Sequence, residues 1–204
     1  MTVTKIETVS KTKYRIFLDN KFAFVLYKGE LSRYRIEENS EMEESVYQEI
    51  KQNIVIKRAK LRAMHLLNDM DRTESQLREK LKANQYTEDV IDEAINYVKS
   101  FGYVNDSNFA KRFVDCRKEK KSKKEIYAAL CNKGLSREMI DEAFEECYDR
   151  SDSRNAISEL LRKKKYSPET ATEKDKQKIF AFLMRKGFSY EDIRQVVQVS
   201  EWNA

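Results

Sequence analysis

The sequence predicts a mainly α protein: three tandem three-helix units in an elongated curved array, with a short N-terminal β-hairpin region. Three observations predict it. The 204 residues include only 4 Gly and 1 Pro, and the strong helix formers Glu, Lys, Arg, Leu and Ala dominate most of the chain. One short segment recurs three times at a spacing typical of repeats. The first 35 residues differ from the rest, with β-branched and aromatic residues in partial alternation.

Residues 1–40 read as a strand-rich extension. YRIFLDNKFAFVLYKGEL places strands at 13–18 and 22–27, with Asp19-Asn20 and Lys21 making the turn. A third short strand is expected at 31–36. An isolated hairpin is marginal in water, so this one should lean on a helix or a partner. From residue 41 the chain turns helical: Val46, Ile50, Ile54, Ala59, Leu61, Leu66 and Leu67 recur among charged residues at roughly helical spacing. The pattern predicts a short helix at 43–50, within a linking segment over 41–52, and a longer helix at 53–68, with a break near Gln52-Asn53.

The repeat is carried by LKANQYTEDVI at 81–91, LCNKGLSREMI at 130–140 and LMRKGFSYEDI at 183–193. Leu81, Leu130 and Leu183 end one helix. Gly134 and Gly187 suit a left-handed position just past that end, which Gln85 occupies in the first copy. Tyr86, Leu135 and Phe188 can pack back on the finished helix. Thr87, Ser136 and Ser189 cap a new helix, with Asp89, Glu138 and Glu191 in its first turn, where the dipole favours them. Upstream, Thr73 to Gln76 and Ser122 to Glu125 are capping-box patterns, and Asp175 is the cap candidate of the third copy. Ile126 and Ile179 match Leu77. Earlier helices at 53–68, 106–118 and 153–163 complete units spanning 53–100, 106–149 and 153–201, which gives domains of 53–103, 104–149 and 150–204. Residues 164–174 form the loosest linker and hold Pro168. Such short helices must stack within and between units to bury enough surface.

Charged residues make up 37% and hydrophobic ones 40% of the chain. With 40 basic against 35 acidic residues, the net charge of +5 leans only weakly toward acidic partners. The residues argue against catalysis and against any cofactor. His65 is the single histidine, and it reads as a packed or half-exposed structural residue. Cys116, Cys131 and Cys147 lack metal-binding spacing and read as buried or half-buried free thiols of a reducing cytoplasm. Asp89, Asp92 and Glu93, like Glu142, Glu145 and Glu146, read as solvated helix faces. Asp106 reads as the cap of a helix over 108–117. No phosphate-cradling glycine motif is present. The opening residues lack the apolar core of a signal peptide, and no stretch approaches the ~20 apolar residues that span a bilayer. A monomer is expected.

Basic clusters stand out instead. Residues 111–124, KRFVDCRKEKKSKK, hold eight basic and two acidic residues. Lys57, Arg58, Lys60 and Arg62 form a second cluster, and Arg162, Lys163, Lys164 and Lys165 a third. A single cluster is an ordinary solvated face. Three of them, recurring with the units, fit the spaced phosphates of DNA or an acidic protein groove. The tyrosines scattered among them read as edges of the core rather than base-stacking platforms.

A further set of residues resembles the RecX family of bacterial regulatory proteins. In order, it is Leu66-Leu67 with Arg72-Thr73-Glu74-Ser75-Gln76-Leu77; Gly102-Tyr103-Val104-Asn105-Asp106 with Phe109-Ala110 and Phe113-Val114; Leu130 with Lys133-Gly134-Leu135; and Leu183 with Arg185-Lys186-Gly187-Phe188-Ser189. The likeness covers residues 55–198, and the strand-rich start looks like the extension of longer members. The chain departs from the family pattern at Lys120-Lys121-Ser122, where a glycine is usual, and at Gln76 and Gln85.

The resemblance implies three tandem three-helix units that bind the RecA recombinase filament in its groove. It also implies inhibition or other modulation of ATP hydrolysis and strand exchange, binding to single- or double-stranded DNA, and no cofactor. From the recurring clusters, the residues expected to contact filament or DNA are Lys57, Arg58, Arg62, Arg72, Lys111, Arg112, Arg117, Lys118, Lys121, Lys123, Lys124, Arg162, Lys163 and Lys164. Arg72 has an alternative role as an anchor of the adjacent cap. Leu77, Leu81, Phe109, Phe113, Leu130, Leu135, Leu183 and Phe188 are expected to pack. Two other readings stay open: a general DNA-binding helical protein with no recombinase partner, and a small enzyme.

Overall fold

The computed structural model describes residues 1–167 and 169–197, so Pro168 and the end of the third unit beyond Val197 lie outside the described residues. It opens on an antiparallel sheet in the order β1 (Val3–Ser10), β2 (Lys13–Leu18) and β3 (Lys21–Tyr27). The 13–18 and 22–27 strands are thus present, joined by Asp19 and Asn20 at φ 46° and 64°. Positive φ at both central residues suits the twist of a tight hairpin.

Two expectations about this region are corrected. β1 is an additional strand. It carries Lys5, Glu7 and Ser10 at the sheet edge and buries only Val3, so it lacks the apolar alternation that reveals a strand. Residues 31–36 do not form a strand. α1 (Lys28–Tyr34) is a helix whose start is held by Glu30, which accepts a hydrogen bond from the Tyr27 N–H (2.7 Å). It ends with Arg35 in the left-handed region at φ 51°.

α2 (Glu44–Ile50) runs on without the break expected at Gln52-Asn53. A π-helical turn spans Lys51–Ile56 and leads into α3 (Lys57–Asp69). The wider turn turns Val55 and Ile56 into the core. α4 (Glu74–Ala83) and α5 (Glu88–Ser100) complete the first unit. The second unit is α6 (Asp106–Asp115), α7 (Lys123–Cys131) and α8 (Arg137–Cys147). The third is α9 (Arg150–Lys163), α10 (Glu173–Arg185) and α11 (Tyr190–Val197). The helix expected over 106–118 stops at Asp115, and the one expected from 153 starts at Arg150.

Caps mark most of these boundaries. Thr73 accepts from the Gln76 N–H (3.2 Å), Ser122 from Glu125 (3.1 Å), Ser136 from Met139 (3.3 Å) and Ser189 from Asp192 (3.1 Å). Thr87 holds the cap position without a side-chain cap bond. Asp106 lies in the first turn of α6 rather than ahead of it. In the third unit the cap is Thr172. Asp175 answers it from inside the helix, so α10 starts one turn earlier than the repeat register implies. Gln85, Gly134 and Gly187 sit at φ 66°, 80° and 86°, as the repeated segment requires.

The chain divides into two compact units, Met1–Asn105 and the part from Asp106 onward. In the first, the sheet and the first three-helix unit share one core: Ile16, Phe24 and Leu26 pack with Ile50, Ile56, Ala59, Leu81 and Ile95. The strand-rich extension is therefore a layer of that core, and each of the other helical units has a core of its own. Leu77, Leu81, Leu130, Leu135, Phe113, Leu183 and Phe188 are buried as expected, while Phe109 is half-buried against Phe113. Cys116 and Cys131 are exposed rather than buried, and Cys147 is intermediate. His65 is also exposed, with Asp69 at 3.9 Å.

Candidate nucleic-acid and partner interface

The predicted contact residues fall into two physical groups. In the first, the cation is already used inside the protein. Arg58 donates to the Val25 carbonyl (3.1 Å), pairs with Glu30 and lies over the Tyr27 ring, so it ties α3 to the sheet and to α1. Arg72 donates from Nε to the Leu66 carbonyl (3.1 Å) and closes the end of α3. Lys111 pairs with Glu146 (2.7 Å) across α6 and α8, and that carboxylate holds its ammonium above the ordinary lysine range. Lys118 donates to the Cys147 carbonyl (2.9 Å) and pairs with Asp115 (3.0 Å). Arg117 stacks on Phe113 at 3.7 Å. Arg162 grips Glu159 with two bonds (2.8 and 2.9 Å), joined by Lys163 at 3.4 Å. Arg162 is the main reason the Glu159 carboxyl falls to about 2.

The second group is not neutralised by carboxylates inside the protein. Lys57, Lys121, Lys123, Lys124 and Lys164 form no ion pair among the described residues, and all five are exposed. Lys123 and Lys164 lie over Phe144 (5.0 Å) and Phe182 (4.3 Å), which orders their stems and leaves the ammonium groups unpaired. Arg112, exposed on α6, does not belong with these unpaired lysines. Arg62, half-buried on α3, has a buried Nε that meets no acceptor.

Two surface hollows gather cations in the part from Asp106 onward. One, of about 790 Å³, lies where the second and third units meet, with Lys123 and Lys124 unpaired, Arg150 paired with Glu191 (4.0 Å) and Asp192 nearby, around Tyr127, Tyr148 and Phe188. The junction is held by Ser122, which donates from Oγ to the Lys186 carbonyl (2.5 Å), and by Lys186 pairing with Glu125 (3.2 Å). Ser153 adds a bond to Asp192 (2.9 Å). The other hollow, of about 550 Å³, lies within the third unit. It places Lys164, Lys165, Lys178 and Arg185 around Tyr166 and Phe182, with Asp175 at its edge. Lys178 and Arg185 were not among the expected contact residues, because they belong to no run of charge. Their signal is the spacing of Lys178, Phe182 and Arg185 along α10, which puts one turn of helix between successive members of a face.

Two family profiles match the chain: RecX, first three-helix domain, over residues 59–97, and RecX, third three-helix domain, over 152–197. The regulatory protein RecX of Caldanaerobacter subterraneus subsp. tengcongensis is 32% identical over 202 residues, covering 98% of this chain and all of that one. The chain belongs to the RecX family. The RecX of Clostridioides difficile is 32% identical as well, over 96% of this chain and 93% of its own. Among solved structures, a crystal structure of regulatory protein RecX superposes with a TM-score of 0.61 at 23% identity, over 97% of this chain and 98% of that one. RecX from Lactobacillus salivarius superposes with a TM-score of 0.59 at 24% identity, over 71% and 95%. These superpositions speak for the fold. As a RecX-family member the chain is a regulatory protein and not an enzyme. No cluster of His, Cys, Asp and Glu able to hold a metal ion, and no helix long and apolar enough to cross a membrane, occurs among the described residues.

Proposed function

We propose that this chain regulates recombination by binding the RecA recombinase–DNA filament and inhibiting its ATP hydrolysis and strand exchange. The observation that carries this reading is that each helical unit keeps cations without internal carboxylate partners: Lys57 in the first, Lys121, Lys123 and Lys124 in the second, Lys164 and Lys165 in the third. Unpaired, exposed cations are what a polyanionic partner rewards, because each neutralised phosphate releases condensed counterions. Membership of a family of regulatory proteins supports the same direction. The cations engaged inside the protein, Arg58, Arg72, Lys111, Arg117, Lys118, Arg162 and Lys163, are assigned to the fold and leave the expected contact set.

The test is recombinase ATP hydrolysis on single-stranded DNA with this protein titrated to an equal ratio. Turnover should fall, and protein bound beforehand to bare DNA should add little. A second reading, a general DNA-binding protein without a recombinase partner, draws on the third unit's hollow, whose four cations would serve phosphates of any duplex. It requires unchanged turnover at saturating protein, together with DNA affinity that falls steeply with salt.

A further inference from the structure

The first compact unit has a hollow that draws Arg58 and Arg62 from one of the recurring clusters and Lys13 from the sheet. It measures about 410 Å³ and opens between β2 and β3, α3, and the turn from α4 to α5. Lys13, Arg58, Arg62 and His65 line it together with Tyr27 and Gln85, and no Asp or Glu is among its lining residues. Its cations differ in state. Arg58 is neutralised by Glu30 and fixed on the Val25 carbonyl, so it acts as a rigid wall. Lys13 has no carboxylate partner, and its ammonium lies 5.4 Å from the centre of the Tyr27 ring. The Nε of Arg62 is buried and meets no acceptor, although buried polar groups of native proteins are nearly always paired. The opposite wall is set by Gln85, held at φ 66° with its side-chain oxygen accepting from Arg15 Nε (2.7 Å).

A hollow lined by Lys13, Arg58 and Arg62 and by no carboxylate, with the Arg62 guanidinium short of one acceptor at Nε, is short of negative charge. We propose that this cleft binds the phosphate of a nucleotide, with Arg62 and Lys13 holding the phosphate oxygens. A phosphate ester is favoured over a carboxylate side chain because the volume exceeds what a carboxylate fills. Tyr27, and Leu61 at 67% exposure, also offer apolar walls beside the charge for a sugar and base. The phosphate can come from a free nucleotide or from a DNA strand. In the second case the cleft deepens the filament reading, by giving the sheet layer a contact of its own.

The experiment is calorimetric titration of the full chain at low salt with dAMP, inorganic phosphate and a twelve-residue oligothymidylate. It compares the natural protein with Arg62→Met and Lys13→Gln. Arg62→Met should weaken binding about tenfold, the worth of one charge-assisted hydrogen bond. Lys13→Gln, at an exposed strand position that leaves the core untouched, should weaken it about threefold. Far-UV circular dichroism checks the fold of both. Loss with dAMP supports a free nucleotide, and loss with the oligonucleotide alone supports a strand phosphodiester. If neither variant changes the affinity for any of the three probes, the inference is overturned. Should Lys121, Lys123 and Lys124 substitutions then still relieve recombinase inhibition, the filament reading survives. If nucleotide binding responds to Arg62→Met while the natural protein leaves recombinase turnover untouched, the filament reading fails and the cleft stands. A poly-glutamate peptide that loses affinity to the two variants, where the nucleotide probes do not, would make this a protein-binding site and overturn the proposal.

Discussion

Gly187→Ala should destabilise the part of the chain from Asp106 onward by more than backbone conformation alone explains. Gly187 sits at φ +86°, and a Cβ built there would lie 2.9 Å from Lys124 Cβ, 3.1 Å from Lys124 Cδ and 3.2 Å from Ser122 Oγ. Neither close neighbour can swing away cheaply. Lys124 Cβ is fixed by the backbone of α7. Ser122 Oγ is committed twice, to the Glu125 N–H and to the Lys186 carbonyl. Gly102→Ala is the matched control: φ there is +71°, and nothing lies within 4 Å of the added carbon. The left-handed conformation costs ~1–2 kcal/mol for an L-residue, and that should be the whole effect at Gly102. At Gly187 overpacking adds ~1–3 kcal/mol, for a total of ~2–5 kcal/mol. Urea unfolding followed by circular dichroism would measure both. Hydrogen exchange at the amides flanking residue 187 would show whether the loss is local to the junction of the second and third units. Equal costs for the two alanines would refute the reasoning, because the junction would then be loose enough to absorb a methyl group.

Other outcomes follow from the same contacts. Arg58→Ala should cost about 2 kcal/mol in thermal or urea unfolding, midway between an exposed and a buried pair, because Glu30 and the Val25 carbonyl lose their donor. Lys57→Ala should stay within ~0.5 kcal/mol. Charge reversal at Lys121, Lys123 and Lys124 together should weaken filament and DNA binding at unchanged helicity, and unchanged affinity in a low-salt titration would remove that patch from the interface. Glu159 is depressed from 4.5 to about 2, so its contribution to stability is complete above 4.5 and is lost as pH falls toward 2. Carboxyl NMR titration should show that low midpoint, and Arg162→Ala should raise it. Cys116 and Cys131 should react with a thiol reagent faster than Cys147, whose thiol is pushed up chiefly by burial.

What could be read from the sequence depended on whether a residue's role is local. The repeated segment is local chemistry: a helix end, a left-handed residue, an apolar return and a cap follow within eleven positions. Leu81, Gln85 and Tyr86 therefore fall where the pattern requires, as do Leu130, Gly134 and Leu135, and Leu183, Gly187 and Phe188. β1 and α1 escaped for the opposite reason. β1 is an edge strand that buries one residue, and α1 buries none, while its Glu30 pairs with Arg58, remote in sequence. The interface divides in the same way. Counting charges along the chain treats Arg58, Lys118 and Lys124 alike. Only tertiary structure separates an arginine tied to a strand carbonyl, and a lysine closing on the Cys147 carbonyl, from a lysine that reaches solvent. Gly187 shows that even a locally legible residue can carry a second constraint. The turn requires its positive φ, but the absence of a side chain is required by Lys124, sixty-three positions earlier, where the second unit meets the third. A repeat read as three independent copies would allow asparagine at that turn, as glutamine is allowed at Gln85. The packing of the second unit against the third restricts this copy to glycine.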